Sequence, residues 1–188
     1  MGGLMKRKRL ISIILILATA MILGACSNKA DSPKILTREG ISPYELSESE
    51  RYVLQSFGME GNSQIISFRA PKEAITLNAN VYKMENGGSW INMGSGGISI
   101  GMEREPTNEL TGTFTMKLKE NYAMGLNINA GGGRASFNID EIMLEIETLV
   151  STKDFLQEFQ KIEINKEIPV AIMVYDSGGE MRGYSVED

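Results

Sequence analysis

The sequence predicts an all-β fold, an antiparallel β-sandwich of jelly-roll or Ig-like type with one short N-terminal helix. Apolar and polar residues alternate over residues 74–84 and again over 110–119, which is the spacing of strands that bury one face. One-sided burial is typical of antiparallel sheets. About ten short segments, separated by turn residues and without long helices, predict a sandwich or a closed barrel, of which we favour the sandwich.

The first 25 residues predict a secretory signal peptide. The basic residues Lys6 to Arg9 precede an uncharged stretch from Leu10 to Ala25. A transmembrane helix needs about 20 apolar residues, so this stretch is short for a permanent span. A basic start, an apolar run and small residues at its end are typical of signal peptides.

The one cysteine of the chain ends this stretch. Residues Leu23-Gly24-Ala25-Cys26 resemble the lipobox of bacterial lipoproteins, a resemblance confined to the N-terminal segment. It implies that the signal peptide 1–25 is removed and that the Cys26 sulfur takes a diacylglyceryl group. Two acyl chains hold a protein stably on a bilayer, where one chain holds it marginally. The implied location is the extracytoplasmic face of the cell membrane, with membrane lipid as a partner. An uncleaved anchor helix and an ordinary signal peptide are the alternatives.

Two further parts complete the predicted organisation. Residues 26–45, polar and interrupted by Pro33, Gly40 and Pro43, predict a lipidated cysteine followed by a flexible tether. Fully extended, this tether would reach about 60 Å. Residues 46–188 are long enough for one core and predict a single β-sandwich domain.

The predicted domain begins with a helix. Ser47 and Glu50 fit a capping box, in which each residue satisfies a backbone N–H of the other. The next turns place Val53, Leu54 and Phe57 on one apolar face, and Gly58 follows as a stop signal.

The strands follow. In 74–84 the side chains predicted to face inward are Ile75, Leu77, Ala79 and Val81, and those predicted to face outward are Thr76, Asn78, Asn80 and Tyr82. In 110–119 the inward set is Leu110, Phe114, Met116 and Leu118. Further candidate strands are 63–69, 89–93, 97–102, 122–128, 134–139, 142–150, 160–165, 168–175 and 181–186. Asn86-Gly87 is a strong hairpin signal, and 151–159 predicts a short helix or an irregular crossing.

Composition excludes several function classes. Without residues 1–25 the chain has 15 basic and 24 acidic residues, a net charge of −9, which argues against nucleic acid as a partner. The chain has no histidine, and lipidation of Cys26 leaves no thiol. Ser-His-Asp and Cys-His catalysis, histidine-ligated zinc and histidine-ligated haem are therefore excluded. We expect no cofactor.

Two glycine-containing motifs predict ordinary β-structure. Residues 97–101 match G-x-S-x-G, but a nucleophile elbow needs a following helix and a histidine, so Ser99 is predicted to be a plain strand residue. The glycine runs 94–97 and 131–133 lack the Lys-Ser/Thr of a P-loop. They predict tight connections with glycine at positive φ.

Two pairs of acidic residues are candidates for a catalytic site and a calcium site. Glu145 and Glu147 project from the same face of a predicted strand, about 6.5–7 Å apart, within the range of glycosidase carboxylates, about 5–9.5 Å. The alternating apolar residues already supply a buried face there, so we expect both glutamates to face solvent. Asp176 and Glu180 flank a turn and offer oxygen ligands for calcium, but a solvated turn is the simpler expectation. We assign no catalytic residue and no metal site.

The candidate ligand-binding residues lie on the hairpin around Asn86-Gly87. They are Asn78, Asn80, Tyr82, Trp90 and Asn92. Aromatic rings can cover the C–H faces of a sugar while amides bind its hydroxyls, and aromatics with one polar end are also common at protein interfaces. In the alternative, which the presence of a single tryptophan favours, Trp90 fills the core and Ile91 points outward.

The function predicted from these observations is that of a membrane-anchored, extracytoplasmic lipoprotein. It would act as a non-catalytic binding or interaction module for a cell-surface glycan or an envelope protein. The alternatives are a carboxylate-based glycoside hydrolase and an accessory subunit of an envelope complex.

Overall fold

Nine antiparallel strands and one helix make up the described part of the chain, which comprises residues 35–85, 87–101, 109–119, 122–140, 150–176 and 183–186 of a computed structural model. In chain order the elements are β1 (Gly40–Pro43), α1 (Glu48–Ser56), β2 (Ser63–Arg69), β3 (Thr76–Met84), β4 (Trp90–Ser99), β5 (Thr111–Leu118), β6 (Met124–Ala130), β7 (Gly133–Ile139), β8 (Val150–Phe155) and β9 (Ala171–Asp176). The predicted all-β fold with one short N-terminal helix is confirmed.

Five of the strands form the main sheet, in the order β1-β2-β5-β6-β7. The other strands form two hairpins, β3–β4 and β8–β9. Within the main sheet, Phe114 of β5 lies between Ile66 of β2 and Ile128 of β6. These side chains are buried, whereas Thr113 and Thr115 on the other face are half-buried. The period-two pattern of 110–119 is therefore confirmed.

The core lies against the inner face of the main sheet. Its largest fully buried side chains are Phe68, Ile66, Leu110, Ile128 and Leu156. The β3–β4 hairpin packs against this core through Leu77, Ala79 and Val81, as the alternation in 74–84 predicts. Burial of these apolar surfaces is the main stabilising contribution to the fold. A hairpin packed on the inner face of a larger sheet is consistent with the predicted sandwich.

The glycine-rich middle of β4 differs from the prediction. The segments 89–93 and 97–102 were expected to be two strands, but β4 runs without a break from Trp90 to Ser99 and joins 90–93 to 97–99. Gly94 and Gly96 lie against Ile139 and Phe137 of β7 so closely that a Cβ atom on either glycine would overlap these side chains. These glycines therefore serve close packing within a strand. By contrast, residues 131–132, with φ of 55° and 78°, form the predicted tight connection between β6 and β7.

The main sheet begins earlier than the predicted domain. Strand β1 lies within 26–45, the segment predicted to be a tether. Ile41 is buried beside Phe68 of β2, and this apolar contact draws the segment into the sheet. On its other edge, the Ile41 N–H donates to the Gln160 carbonyl at 2.8 Å, and the Gln160 N–H donates to the Ile41 carbonyl at 2.9 Å. The short strand ends at Pro43.

In the C-terminal third of the chain, three more segments differ from their predicted secondary structure. Residues 151–159, predicted as a helix or a crossing, supply most of β8, in which β-branched Val150 and Thr152 pair with β9. Residues 160–165, predicted as a strand, contribute one isolated bridge at Gln160. The candidate strand 142–150 lies outside the described residues except for Val150, the first residue of β8. Of the candidate strand 181–186, residues 183–186 are described and form no strand, so that prediction is wrong there.

Helix α1 has the predicted capping box but not a buried face. The Glu50 N–H donates to Ser47 Oγ at 3.3 Å, and the Ser47 N–H donates to Glu50 Oε2 at 2.8 Å. Val53 and Phe57 are exposed, and no residue of α1 is buried. Leu54, the third residue of the predicted apolar face, is half-buried. The Tyr44 hydroxyl donates a further hydrogen bond to Glu50 of the cap at 3.0 Å. No helix within the described ranges has the length and apolar character needed to cross a membrane.

Candidate functional site

The outward surface of the β3–β4 hairpin contains all five residues proposed from the sequence. Asn78, Asn80 and Tyr82 alternate along β3 and are exposed. Across the ladder, Tyr82 pairs with Asn92, and Met84 pairs with Trp90. Because directly paired residues share a face of a sheet, the five side chains form one surface. We call this surface, formed by Asn78, Asn80, Tyr82, Trp90 and Asn92, the hairpin face.

A β-bulge determines which residues of β4 belong to the hairpin face. Val81 pairs with Gly94, but the next residue, Tyr82, pairs with Asn92, which leaves Met93 as an extra residue on β4. An extra residue reverses the side to which every later side chain points. Without it, Met93 would oppose Tyr82, and Trp90 would turn toward the core.

Trp90 is accordingly a surface residue, with 57% of its area exposed. The alternative that it fills the core is wrong. Its neighbour on β4, Ile91, faces the other side of the hairpin and is 38% exposed. Tyr82 is 40% exposed, so both rings of the hairpin face are available for contact with a ligand.

Glu167 is a member of the site that sequence reasoning missed. Its Oε1 accepts hydrogen bonds from Asn80 Nδ2 at 2.8 Å and from the Tyr82 hydroxyl at 2.7 Å. Glu167 lies in the irregular segment between β8 and β9, and no local pattern marks a residue whose partners are more than 80 positions away. The spacing of Asn80 and Tyr82 on one strand face was the available signal for a shared partner.

The same contact sets the electrostatics of Tyr82. The hydrogen bond to the Glu167 carboxylate raises the pKa of the Tyr82 phenol; partial desolvation and the negative charge of Glu167 raise it further, and a hydrogen bond with Asn92 lowers it. The phenol is therefore neutral at physiological pH and held in one orientation. Its ring is fixed before any ligand arrives, which reduces the entropy lost on binding.

The hairpin face combines several groups that can bind a ligand. Asn92 Oδ1 accepts from the Gly94 N–H at 2.8 Å, so the side-chain amide is oriented by the bulge itself. Amide groups both donate and accept hydrogen bonds, and the two rings offer apolar area. A glycosidase needs a second carboxylate within about 5–9.5 Å of the first. Among the described residues Glu167 is the carboxylate that contacts this face.

The G-x-S-x-G match forms part of an ordinary strand, as predicted. The Ser99 hydroxyl donates to the Ile75 carbonyl at 3.1 Å, and Thr76 Oγ1 lies 3.2 Å from Ser99 Oγ. Ser99 ends β4, and the next described element is strand β5. Ile75, predicted to face inward, is exposed because it precedes the first paired residue of β3.

The proposed acidic pairs are only partly covered by the structure. Glu145, Glu147 and Glu180 lie outside the described residues, as does Asn86 of the hairpin turn. Asp176 is the exposed last residue of β9. Within the described ranges, no three His, Cys, Asp or Glu side chains are grouped so that they could hold a metal ion.

The chain matches no protein-family model, no curated protein and no solved structure. A function must therefore be inferred from the side chains that it presents. On the described surface, the hairpin face is where two exposed aromatic rings and three amides lie together.

Proposed function

We propose that this protein is a lipid-anchored, non-catalytic binding module of the bacterial cell envelope, and that its hairpin face binds a cell-surface glycan. The observation that carries the proposal is the exposure of Trp90 and Tyr82 on the surface that also presents Asn78, Asn80 and Asn92. Rings that cover apolar C–H groups beside amides that bind hydroxyls suit a flat sugar.

The anchor in this proposal is Cys26. Residues 1–34 lie outside the described ranges, so the support is the sequence: the basic start, the apolar run and the Leu23-Gly24-Ala25-Cys26 motif. A diacyl group on one residue would supply the two chains that stable anchoring needs. The extracytoplasmic location follows from the signal peptide.

Cys26→Ser is expected to abolish lipid anchoring, because a serine hydroxyl replaces the thiol that would take the diacylglyceryl group. Fractionation of cells should show the variant either in the soluble fraction or as uncleaved precursor. The matched control is Ser27→Ala, one residue away, which should be processed and retained like the unchanged protein. Normal processing together with full membrane retention of Cys26→Ser would contradict the proposed anchor.

Binding at the hairpin face is tested with Trp90 as an intrinsic reporter. The full chain in detergent is titrated with cell-wall glycan fragments and common oligosaccharides, and the tryptophan emission is followed. We expect a saturable change, because an exposed indole is dehydrated when a sugar covers it. Calcium, titrated separately, should leave the emission unchanged.

A pair of asparagine variants tests whether the glycan binds at the hairpin face. Asn80→Ala removes an amide from the hairpin face and should weaken binding about tenfold, the equivalent of one good hydrogen bond of about 1.4 kcal/mol. Asn129→Ala removes an amide that is also exposed, on the outer face of β6, and should leave the affinity unchanged. No emission change with any glycan, or equal losses in the two variants, would contradict glycan binding at this face.

A second candidate function, the accessory subunit of an envelope complex, is favoured by helix α1. Tyr52 and Val53 of this helix and its C-cap residue Phe57 are exposed, at 71%, 51% and 74%. Neighbouring exposed apolar side chains of this kind mark contact surfaces between proteins. Tyr52→Ser with Phe57→Ser should then release a bound envelope protein from the purified complex while glycan titration is unaffected.

A further inference from the structure

A cavity lies beside the C-terminal end of β5, between the main sheet and the β8–β9 hairpin. Its volume is about 670 Å³, within the range of about 300–1,000 Å³ that is typical of small-molecule sites. It is lined by Lys119, Tyr122, Ser151, Thr152, Lys153 and Tyr175. None of these residues belongs to the hairpin face.

The two lysines make this cavity cationic in an otherwise acidic chain. Lys119 Nζ donates to Asn138 Oδ1 at 2.6 Å, and Lys153 Nζ donates to Asn62 Oδ1. Both partners are neutral amides, which orient each ammonium group without cancelling its charge. An ammonium group has three donors, so each lysine can still bind a ligand. Among the described residues, no Asp or Glu lines the cavity or forms an ion pair with either lysine.

The two tyrosines form an aromatic wall. The rings of Tyr122 and Tyr175 meet edge to face, with centroids 4.4 Å apart. The Tyr175 hydroxyl donates to the Met173 sulfur at 3.7 Å, a weak acceptor that a ligand oxygen could replace. Burial first, and then the electrostatic interaction with the neighbouring Tyr122 phenol, raise the pKa of Tyr175. Its phenol therefore remains a neutral donor.

Tyr122 is held in an unfavourable backbone conformation. Its φ is 62°, in the left-handed region, which costs a residue with a side chain about 1–2 kcal/mol. The conformation places the ring against Tyr175 at the turn between β5 and β6, where the Lys119 N–H donates to the Ala123 carbonyl at 2.8 Å. Strain of this kind is concentrated at ligand-binding positions.

From this combination we infer that the cavity binds a small organic anion, with a phosphate or carboxylate group between Lys119 and Lys153 and a ring-sized body against Tyr122 and Tyr175. Ser151, on the same face of β8 as Lys153 and paired with Tyr175, supplies a hydroxyl group from the adjoining strand. The inference is independent of the hairpin face, since the two sites share no residue.

The test uses the full chain in detergent with its six tyrosines replaced by 3-fluorotyrosine, observed by ¹⁹F NMR. Tyr122→Phe and Tyr175→Phe assign the two cavity signals by their disappearance. The probes are glucose 6-phosphate, glucuronate and neutral glucose, so the two charged probes distinguish phosphate from carboxylate. We expect saturable shifts of both cavity signals with at least one charged probe and none with glucose.

Charge variants then locate the anion. Lys119→Gln and Lys153→Gln should each weaken binding about tenfold or more, as expected for loss of a hydrogen bond to a charged group. Lys153→Arg keeps the charge and should largely restore affinity. Lys161→Gln makes the same chemical change at an exposed position outside the cavity and should have no effect.

Folding is checked in each variant by the fluorine signal of Tyr44, which lies beside the capping box of α1. Three results would overturn the inference. The first is no shift of the Tyr122 and Tyr175 fluorine signals with either charged probe, and the second is an equal shift with glucose. The third is unchanged affinity in the Lys119→Gln variant and also in the Lys153→Gln variant. Loss of glycan binding at the hairpin face would leave these readouts unchanged, so the two proposals fail separately.

Discussion

Phe68→Ala is expected to lower the free energy of unfolding by about 3–5 kcal/mol, the range measured when large buried aromatic residues are truncated. Phe68 is 1% exposed and lies in β2 between Ile41 of β1 and Gly112 of β5. Removing its ring loses apolar burial and leaves a cavity that the paired strands on both sides cannot close. Urea denaturation of the full chain, followed by circular dichroism, measures the loss.

The matched control is Phe57→Ala, which removes the same ring from the C-cap residue of helix α1. Phe57 is 74% exposed, so its replacement should change the free energy of unfolding by no more than about 0.5 kcal/mol. Equal losses for the two variants would mean that Phe68 does not lie in the core.

Gly112→Ala should also destabilise the fold strongly, through overlap with a neighbouring strand. A Cβ atom on Gly112 would overlap the Asn129 carbonyl oxygen of β6. That atom belongs to the backbone and cannot rotate away, so the ladder between β5 and β6 must separate locally. Forcing atoms into a packed interior costs about 1–3 kcal/mol, and we expect the upper end because ladder hydrogen bonds are also lost.

The same denaturation experiment includes Gly87→Ala as its control. A Cβ atom on Gly87 would meet no other atom within 4 Å, so the substitution should leave stability within about 1 kcal/mol. If Gly112→Ala proves as stable as Gly87→Ala, then β5 and β6 do not pair in the register described.

The sequence predicts local structure best where a residue pattern follows from the geometry of a single strand or helix end. Alternation in 110–119 predicted the buried side of β5, and Ser47 with Glu50 predicted the start of α1. Both patterns arise from local geometry, the two-residue repeat of a strand and the unsatisfied N–H groups of a helix end. Neither the alternation in 110–119 nor the capping box depends on contacts with residues distant in sequence.

For the hairpin face, the sequence pattern predicts only part of the arrangement of side chains. Asn78, Asn80 and Tyr82 were assigned to one face because β3 is regular. Trp90 could not be assigned, because the bulge at Met93 reverses the alternation within β4. A bulge depends on pairing with the opposite strand, which a single strand's sequence does not reveal. Glu167 was missed for a related reason, since its contacts are made across the fold.

Tertiary pairing also explains the misassigned boundaries. Residues 40–43 contain a glycine and a proline, which are unfavourable in an isolated strand, and they were assigned to the tether. The burial of Ile41 beside Phe68 outweighs that local preference. Residues 150–155 likewise become a strand through their pairing with β9.

The short strand β1 has a consequence for how copies of the protein behave when they are crowded together. An exposed sheet edge is a template on which another chain can add a strand, and this is a common route to aggregation. Here the backbone groups of Ile41 on that edge are already bonded to Gln160, and Pro43 ends the strand. An incoming strand would first have to displace the segment of the same chain that contains Gln160. This edge therefore resists edge-to-edge association of sheets even when many copies of the protein are close together.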